Sequence, residues 1–357
     1  MLVWRRRQGL TGMSLPVTEI LLDELDARPF DGRQLVLGGE AELANDLARN
    51  GRIDWRALDV RERERASGSV VVIDDVSPDA YRGVILPVPP DRALARRLLL
   101  LAWQALEPGG ELILAGANAE GGKSAVADVR SLFGEVTESY RQKHRIARAI
   151  RMPEYTMWPA WADEDGIRPG SWRSFEFALG EDAVTLETQA GVFAGDRLDV
   201  GTRLLLDHLP IVPGSRVLDV GCGAGAIGIA ASRSGAADVT LVDANLLAVE
   251  TSARNLARLG IPGHAIASDV YSGVSGERFD LIVSNPPFHR GKLVDFTVAD
   301  TLIDGAPSHL RQGGRLLIVA NAFLAYGKRM GQVFRHVETV ASTRQYHVLL
   351  ARDPYNS

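Results

Sequence analysis

The chain has 357 residues, 46% hydrophobic and 24% charged, with one cysteine, seven histidines and a formal net charge of −5. That length points to two domains with enough apolar material for two cores, and the acidic balance excludes a uniformly basic nucleic-acid coat. The lone Cys222 excludes an internal disulfide and fits a reducing compartment, no apolar run approaches the roughly 20 residues of a spanning helix, and the histidines show no metal-ligand spacing.

Residues 1–16 read as an extension outside the domains. They carry Arg5-Arg6-Arg7 but no apolar stretch with a cleavage site, so no secretory signal is predicted, and Met13 is an alternative start. Residues 17–152 form a first α/β domain, with a short glycine turn at Leu37-Gly38-Gly39-Glu40 and an apolar run ending in Val88-Pro89-Pro90. Within residues 141–151 stand Arg141, Lys143, His144, Arg145, Arg148 and Arg151, either a solvated basic face or a contact for RNA. Residues 153–171, rich in Pro, Trp and acids, are expected to be a linker whose Trp158 and Trp161 pack one domain on the other. After Trp172 come two strands, 173–179 and 183–188, around the turn Gly180-Glu181-Asp182.

The second domain, 172–357, alternates short apolar strands at 216–220, 239–242, 279–284 and 315–320 with helical stretches such as 246–259, as a parallel sheet requires. The closing pair, 336–342 and 346–351, leaves no room for a crossover helix and is predicted to be an antiparallel hairpin.

Landmarks of the two halves match. Leu106-Glu107-Pro108-Gly109-Gly110 corresponds to Leu310-Arg311-Gln312-Gly313-Gly314, and Val84-Ile85-Leu86-Pro87-Val88 to Leu281-Ile282-Val283-Ser284-Asn285. Two landmarks in the same order indicate a duplicated α/β domain. The first copy has Val88 where the second has Asn285, and its glycines lack the spacing of the second, so it reads as a domain that kept the fold and lost the reaction.

Chemistry concentrates in the second copy. In Asp219-Val220-Gly221-Cys222-Gly223-Ala224-Gly225 the spaced glycines let the backbone turn tightly and approach a ligand just before a helix. Such a loop alone also suits dinucleotides. Asp243 at the end of the next strand can take ribose hydroxyls, and Asp269 after the third can meet an adenine amino group; each could instead cap a helix. Cys222 reads as a small buried filler rather than a nucleophile. The tetrad Asn285-Pro286-Pro287-Phe288 is a stiff turn that accepts hydrogen bonds and barely donates them. It suits a primary amine or amide giving up both hydrogens, and beside a nucleotide-type loop the electrophile expected is the methyl of S-adenosylmethionine.

The glycine loop, Asn285-Pro286-Pro287-Phe288-His289, and the segment from Gly191-Val192-Phe193 through Leu198-Asp199-Val200-Gly201-Thr202 together resemble the RsmC/RlmG family of ribosomal RNA guanine-N2 methyltransferases, with the short spacing and His289 favouring its small-subunit (16S) branch, RsmC. The resemblance runs from about residue 35 to the end. It implies two tandem class I, Rossmann-like methyltransferase domains, the amino-terminal one degenerate, the carboxyl-terminal one catalytic with a mostly parallel seven-stranded sheet. The cofactor implied is S-adenosyl-L-methionine, held by Asp219, Gly221, Gly223, Gly225, Asp243, Asp269 and Asn285. In the same reading the Asn285 side-chain oxygen and the Pro286 carbonyl each accept an N–H of the guanine amine, and Phe288 stacks on the base. Phe193, Asp199 and Thr202 cover the cofactor and shape the target pocket, or else are a strand end and an N-cap for the helix 203–209. Pro287 lies beside the base, and His289 is a base contact or a surface histidine. Lys143, Arg145 and Arg148 contact the RNA backbone. The partner implied is ribosomal RNA within the small subunit, with no metal and no membrane, and the protein is expected to be a cytoplasmic monomer. Rivals stay open: a large-subunit guanine-N2 enzyme, a protein glutamine methyltransferase acting on release factors, and a non-enzymatic RNA-binding assembly factor.

Overall fold

Each half of the chain builds a seven-stranded sheet, and the two sheets have the same strand order. The computed structural model describes residues 16–153, 158–193, 197–286 and 297–355; the expected extension therefore lies, but for Pro16, outside the described residues. In the first half the strands are β1 (Gln34–Leu37), β2 (Ile53–Arg56), β3 (Val70–Val72), β4 (Tyr81–Pro87), β5 (Leu106–Ala117), β6 (Thr137–Arg141) and β7 (His144–Ile150). A separate hairpin, β8 (Arg173–Leu179) with β9 (Asp182–Thr188), follows. The second sheet comprises β10 (Arg216–Val220), β11 (Asp238–Asp243), β12 (Gly263–Ala267), β13 (Phe279–Ser284), β14 (Leu310–Asn321), β15 (Phe334–Ser342) and β16 (Tyr346–Pro354). The helices in chain order are α1 (Val17–Ala27), α2 (Ala41–Leu47), α3 (Val60–Arg63), α4 (Arg92–Ala105), α5 (Gly122–Phe133), α6 (Val200–Leu206), α7 (Ala226–Arg233), α8 (Leu246–Leu259), α9 (Thr297–His309) and α10 (Tyr326–Met330).

The orders are β3-β2-β1-β4-β5-β7-β6 and β12-β11-β10-β13-β14-β16-β15. In each, the strands are parallel except for the closing antiparallel hairpin, as expected for the class I core. Local chemistry sets the helix ends: Asn245 caps α8 by accepting from Leu247 N, and Gly260 in the left-handed region ends it. The second core packs Leu302 and Ile303 of α9 against Leu316 and Ile318 of β14.

Register makes the duplication exact enough to compare positions. Leu35 lies opposite Val84 and Val217 opposite Leu281, so Leu37 occupies the place of Asp219, Gly39 that of Gly221, and Leu58 that of Asp243. Sterics repeat too. A Cβ on Gly110 would lie 2.9 Å from the Glu107 carbonyl and 3.0 Å from that of Tyr81; on Gly314 it would lie 2.9 Å from Arg311 and 3.0 Å from Phe279 carbonyls. The first copy has filled its own cleft: a Cβ on Gly39 would sit 2.7 Å from the Pro87 ring, and the buried Trp55 indole donates to Gly38 O at 2.8 Å.

The chain divides into two compact units, residues 1–57 with 65–163, and residues 58–64 with 164–357. The division falls inside the segment expected as a linker. Trp161 is buried in the first unit, donating to Ser131 Oγ at 3.2 Å, and Trp158 meets Trp103 edge-on. Both tryptophans thus pack within one unit, where packing between domains was expected. The seven residues 58–64 leave the first unit for the second.

Gly314→Ala forces a methyl against two carbonyls that cannot yield cheaply, and should cost about 1–3 kcal/mol. Differential scanning calorimetry should show Tm lowered by several degrees, and Gly110→Ala should behave alike.

Candidate active site

The loop between β10 and α7 is shaped by three glycines with φ of +75° (Gly221), +55° (Gly223) and +87° (Gly225). Their roles differ. A Cβ on Gly225 would strike Leu241 at 2.9 Å, so this glycine brings α7 onto the sheet, whereas one on Gly221 would meet nothing within 4 Å, so that backbone is open to a ligand. Gly223 N donates to Asp243 Oδ2 at 2.9 Å, which ties the loop to the end of β11. Cys222 is buried and its thiol pushed up by burial, in keeping with a filler.

Asp219 is fully buried. Its Oδ2 accepts from Gly228 N at 2.9 Å, while Oδ1 has no partner among the described residues. Burial, reinforced by the charge of Asp243, pushes this carboxyl up to about 7. Asp243 is itself raised by burial, and it accepts from Asn245 N at 2.8 Å as well as from Gly223. A cleft beyond the strand ends is lined by Gly221, Asp243, Asp269, Ser284 and Pro286. So the structure brings Gly221, Asp243 and Asp269 together as expected, with Asp219 buried beneath the loop.

Asn285 follows β13. Its Nδ2 donates to Asp199 Oδ2 at 3.0 Å and to Thr202 Oγ1 at 2.8 Å, while its Oδ1 is buried with no partner among the described residues. A carboxylate only accepts, so the amide nitrogen must face Asp199 and the oxygen must face the other way. Asp199 is also the N-cap of α6, accepting from Thr202 N at 3.0 Å. Of Asp199 and Thr202, expected over the cofactor or as a strand end and plain cap, Asp199 caps α6 and, together with Thr202 Oγ1, orients Asn285. Behind them, Gly201 admits the ring of Tyr346, whose hydroxyl is held protonated by burial and by the Asp199 charge. Phe193 is 65% exposed. Pro287, Phe288 and His289 lie outside the described residues.

The basic span needs a correction. Arg148, expected on RNA, is buried in β7; it donates to the carbonyls of Glu24 and Arg28 at 3.0 Å and pairs with Glu111 at 3.4 Å. It satisfies the end of α1 rather than facing solvent. Arg145 is engaged with Glu138 at 2.5 Å and lies over Tyr140. Lys143 is exposed on the tight β6–β7 turn, at φ +67°.

One supporting residue was not foreseen. Asn255 of α8 is fully buried; its Oδ1 accepts from Glu187 N at 2.9 Å, and its Nδ2 donates to the carbonyls of Glu187 (2.8 Å) and Ala224 (3.0 Å). It joins β9 to the glycine loop. The signal available was a polar stripe, Thr251, Ser252 and Asn255, on the face of α8 that should be apolar.

Comparison with known proteins fits this geometry. The methyltransferase small domain model matches residues 183–350. The chain is 33% identical over 353 residues to ribosomal RNA small subunit methyltransferase C of Aeromonas hydrophila subsp. hydrophila, covering 95% of this chain and 100% of that protein. It is 34% identical over 353 residues to the same-named protein of Escherichia coli O17:K52:H18, covering 94% and 96%. The chain belongs to the ribosomal RNA small subunit methyltransferase C family. A solved structure, the T. thermophilus 16S rRNA N2 G1207 methyltransferase (RsmC) in complex with AdoMet and guanosine, matches with a TM-score of 0.82 and 27% identity, covering 98% of this chain and 93% of that one.

For a methyltransferase of this family, an oriented asparagine oxygen at the end of the fourth strand is the feature to test. Among the described residues no group of three or more His, Cys, Asp or Glu could hold a metal, and no helix is long and apolar enough to cross a membrane. Asp199→Asn replaces an obligatory acceptor by a group that can also donate, so the Asn285 amide loses its fixed sense. Turnover should fall by roughly 10²-fold, while the melting temperature moves only a few degrees; an unchanged turnover would remove Asp199 from this role.

Proposed function

We propose that this protein transfers a methyl group from S-adenosyl-L-methionine to the exocyclic N2 of a guanine in 16S rRNA, acting as a cytoplasmic monomer on the small subunit. The observation that carries the reading is the Asn285 oxygen, buried, oriented by Asp199 and Thr202, and without a hydrogen-bond donor among the described residues.

The residues fit the cofactor. Gly221 offers open backbone, Asp243 and Asp269 stand on the cleft, and Asp219 Oδ1, without a partner among the described residues, is a buried acceptor for a cationic donor. In this reading Asp243 holds the ribose, Asp269 the adenine amino group, and Asp219 the ammonium of the methionyl portion. When bound, S-adenosylmethionine supplies an electrophilic sulfonium methyl whose bond to sulfur breaks as the bond to nitrogen forms.

The chain's own task is to make a poor nucleophile reactive. The guanine amine has its lone pair drawn into the ring. Asn285 Oδ1 accepts one of its hydrogens and the Pro286 carbonyl the other, so the nitrogen is held with both N–H bonds committed and its lone pair free for the methyl. The buried Asn285 oxygen favours the nitrogen as it becomes positive, and no strong base is needed, since the methylated nitrogen releases its proton readily. Phe288 is proposed to stack on the base, Phe193 to shield it, and Lys143 to meet the RNA backbone; a guanine inside a stacked helix must be extruded first.

Two outcomes test the reading. Pure protein incubated with tritiated S-adenosylmethionine and unmodified small-subunit particles should yield labelled N2-methylguanosine after nuclease digestion, and neither large-subunit rRNA nor a release factor should take label. Asn285→Ala should lower this rate by roughly 10³-fold; label in the release factor would instead assign the site to a glutamine amide.

The pH dependence of cofactor binding follows from Asp219. Its carboxyl, raised to about 7, is neutral below that pH and loses its attraction for an ammonium group. Affinity should therefore fall as pH drops through 7, by about tenfold between pH 8 and pH 6 in calorimetric titrations, and Asp219→Asn should flatten the profile.

A further inference from the structure

The cleft is not built from the carboxyl-terminal half alone. Residues 58–64 belong to the second unit, where Asp59 pairs antiparallel with Asn245. Val60 N donates to Ala244 O at 2.8 Å and Leu246 N to Leu58 O at 2.9 Å. This lays a piece of the amino-terminal half directly beside the end of β11, where Asp243 stands. By register, Leu58 occupies in the first half the position that Asp243 occupies in the second. The strand end that lost its own acid is now used against its counterpart.

Two side chains of that piece line the cleft with Asp243 and Asp269. Asp59 Oδ1 accepts from Arg61 N and Arg61 Nε, each at 2.9 Å, and Asp59 Oδ2 accepts from Arg61 Nη2. The carboxylate thus grips one edge of the guanidinium from two directions and fixes its plane. Arg61 keeps 27% and Asp59 29% of its side-chain surface exposed, so the pair is neither core nor free surface. The bond to Asp59, with the nearby charge of Asp269 adding, raises Arg61 above its ordinary value, so it is cationic at all working pH. Arginine held in this way presents a flat, weakly hydrated face on which a planar ring can stack; lysine has no such face.

We propose that Arg61 is part of the adenosine subsite, its guanidinium covering the purine, with Asp59 as the positioning residue that holds it; this rests on the reading that the cleft takes S-adenosylmethionine. The placement decides for the adenosine end. Arg61 and Asp59 share the cleft wall with Asp243, the last residue of β11, and Asp269, just after β12. The catalytic site is then composite: its cofactor pocket needs side chains from both halves of the sequence.

The test is calorimetric titration of full-length wild type, Arg61→Ala and Arg61→Lys with S-adenosylhomocysteine, with 5′-methylthioadenosine and with methionine, each variant's melting temperature being measured alongside. Both variants should weaken S-adenosylhomocysteine and methylthioadenosine by the same factor, about tenfold, with the KM for the methyl donor rising in step. Asp59→Asn should weaken both ligands in the wild-type background and add nothing in Arg61→Ala, which a merely structural role would not produce. Wild type binding normally with both Arg61 variants within twofold of it overturns this inference alone. A loss confined to S-adenosylhomocysteine and methionine, sparing methylthioadenosine, overturns it by placing Arg61 on the amino-acid carboxylate. Wild type failing to bind any of these ligands overturns the cofactor reading, and this inference with it.

Discussion

The site depends on one amide being unable to turn over. Asn285 could present either its oxygen or its nitrogen to an incoming amine, and only the oxygen is useful. Asp199, which has nothing to donate, and Thr202 Oγ1 take the nitrogen at 3.0 and 2.8 Å, leaving the oxygen buried with no donor among the described residues. A buried acceptor left unsatisfied costs on the order of 1–3 kcal/mol, a cost that the hydrogen of a guanine amine would relieve in the proposed reading. The same carboxylate caps α6, so helix start and amide orientation are set by a single group.

The cofactor end follows the same logic with charge in place of dipole. Asp219 and Asp243 are both raised by burial, the charge of Asp243 adding to the effect on Asp219, and Asp219 keeps an oxygen without a partner among the described residues. Burying carboxylates near one another is unfavourable unless a cation joins them. In the first half the corresponding positions are Leu37 and Leu58, Val88 replaces Asn285, and the Pro87 ring and Trp55 indole take up the space beside Gly38 and Gly39. Two copies of one sheet have thus diverged into a filled core and a ligand cleft, and the difference is traceable to a few residues at the strand ends.

Much of this was legible in the chain. The parallel strands of the second half, the closing hairpin and the duplication follow from apolar runs, Gly-Gly turns and the lack of room for a crossover helix in the closing pair. The glycine loop and Asp243 stand out by spacing, but only the Asn285-Pro286-Pro287-Phe288 turn on the fourth strand separates them from a dinucleotide loop or a helix cap. What the sequence hid were relations across long separations. Arg148 stands in a run of basic residues in the sequence, yet the side of the strand it occupies is closed by the end of α1. Asn255 is marked in the sequence only as part of a polar stripe on a buried face; its partners, β9 and the glycine loop, are far away in the chain. Residues 58–64 give no local sign that they leave their own unit, because an antiparallel bridge to Asn245 is specified by register rather than by composition.

The central claim is that the Asn285 oxygen is the acceptor for the reacting amine. The most direct measurement is a structure of the protein with S-adenosylhomocysteine and guanosine bound. The account predicts the guanine N2 at about 3 Å from Asn285 Oδ1, with the amide nitrogen still on Asp199 and Thr202. A guanine amine bonded instead to the Asp199 carboxylate, or an Asn285 oxygen facing no substrate hydrogen, would contradict it.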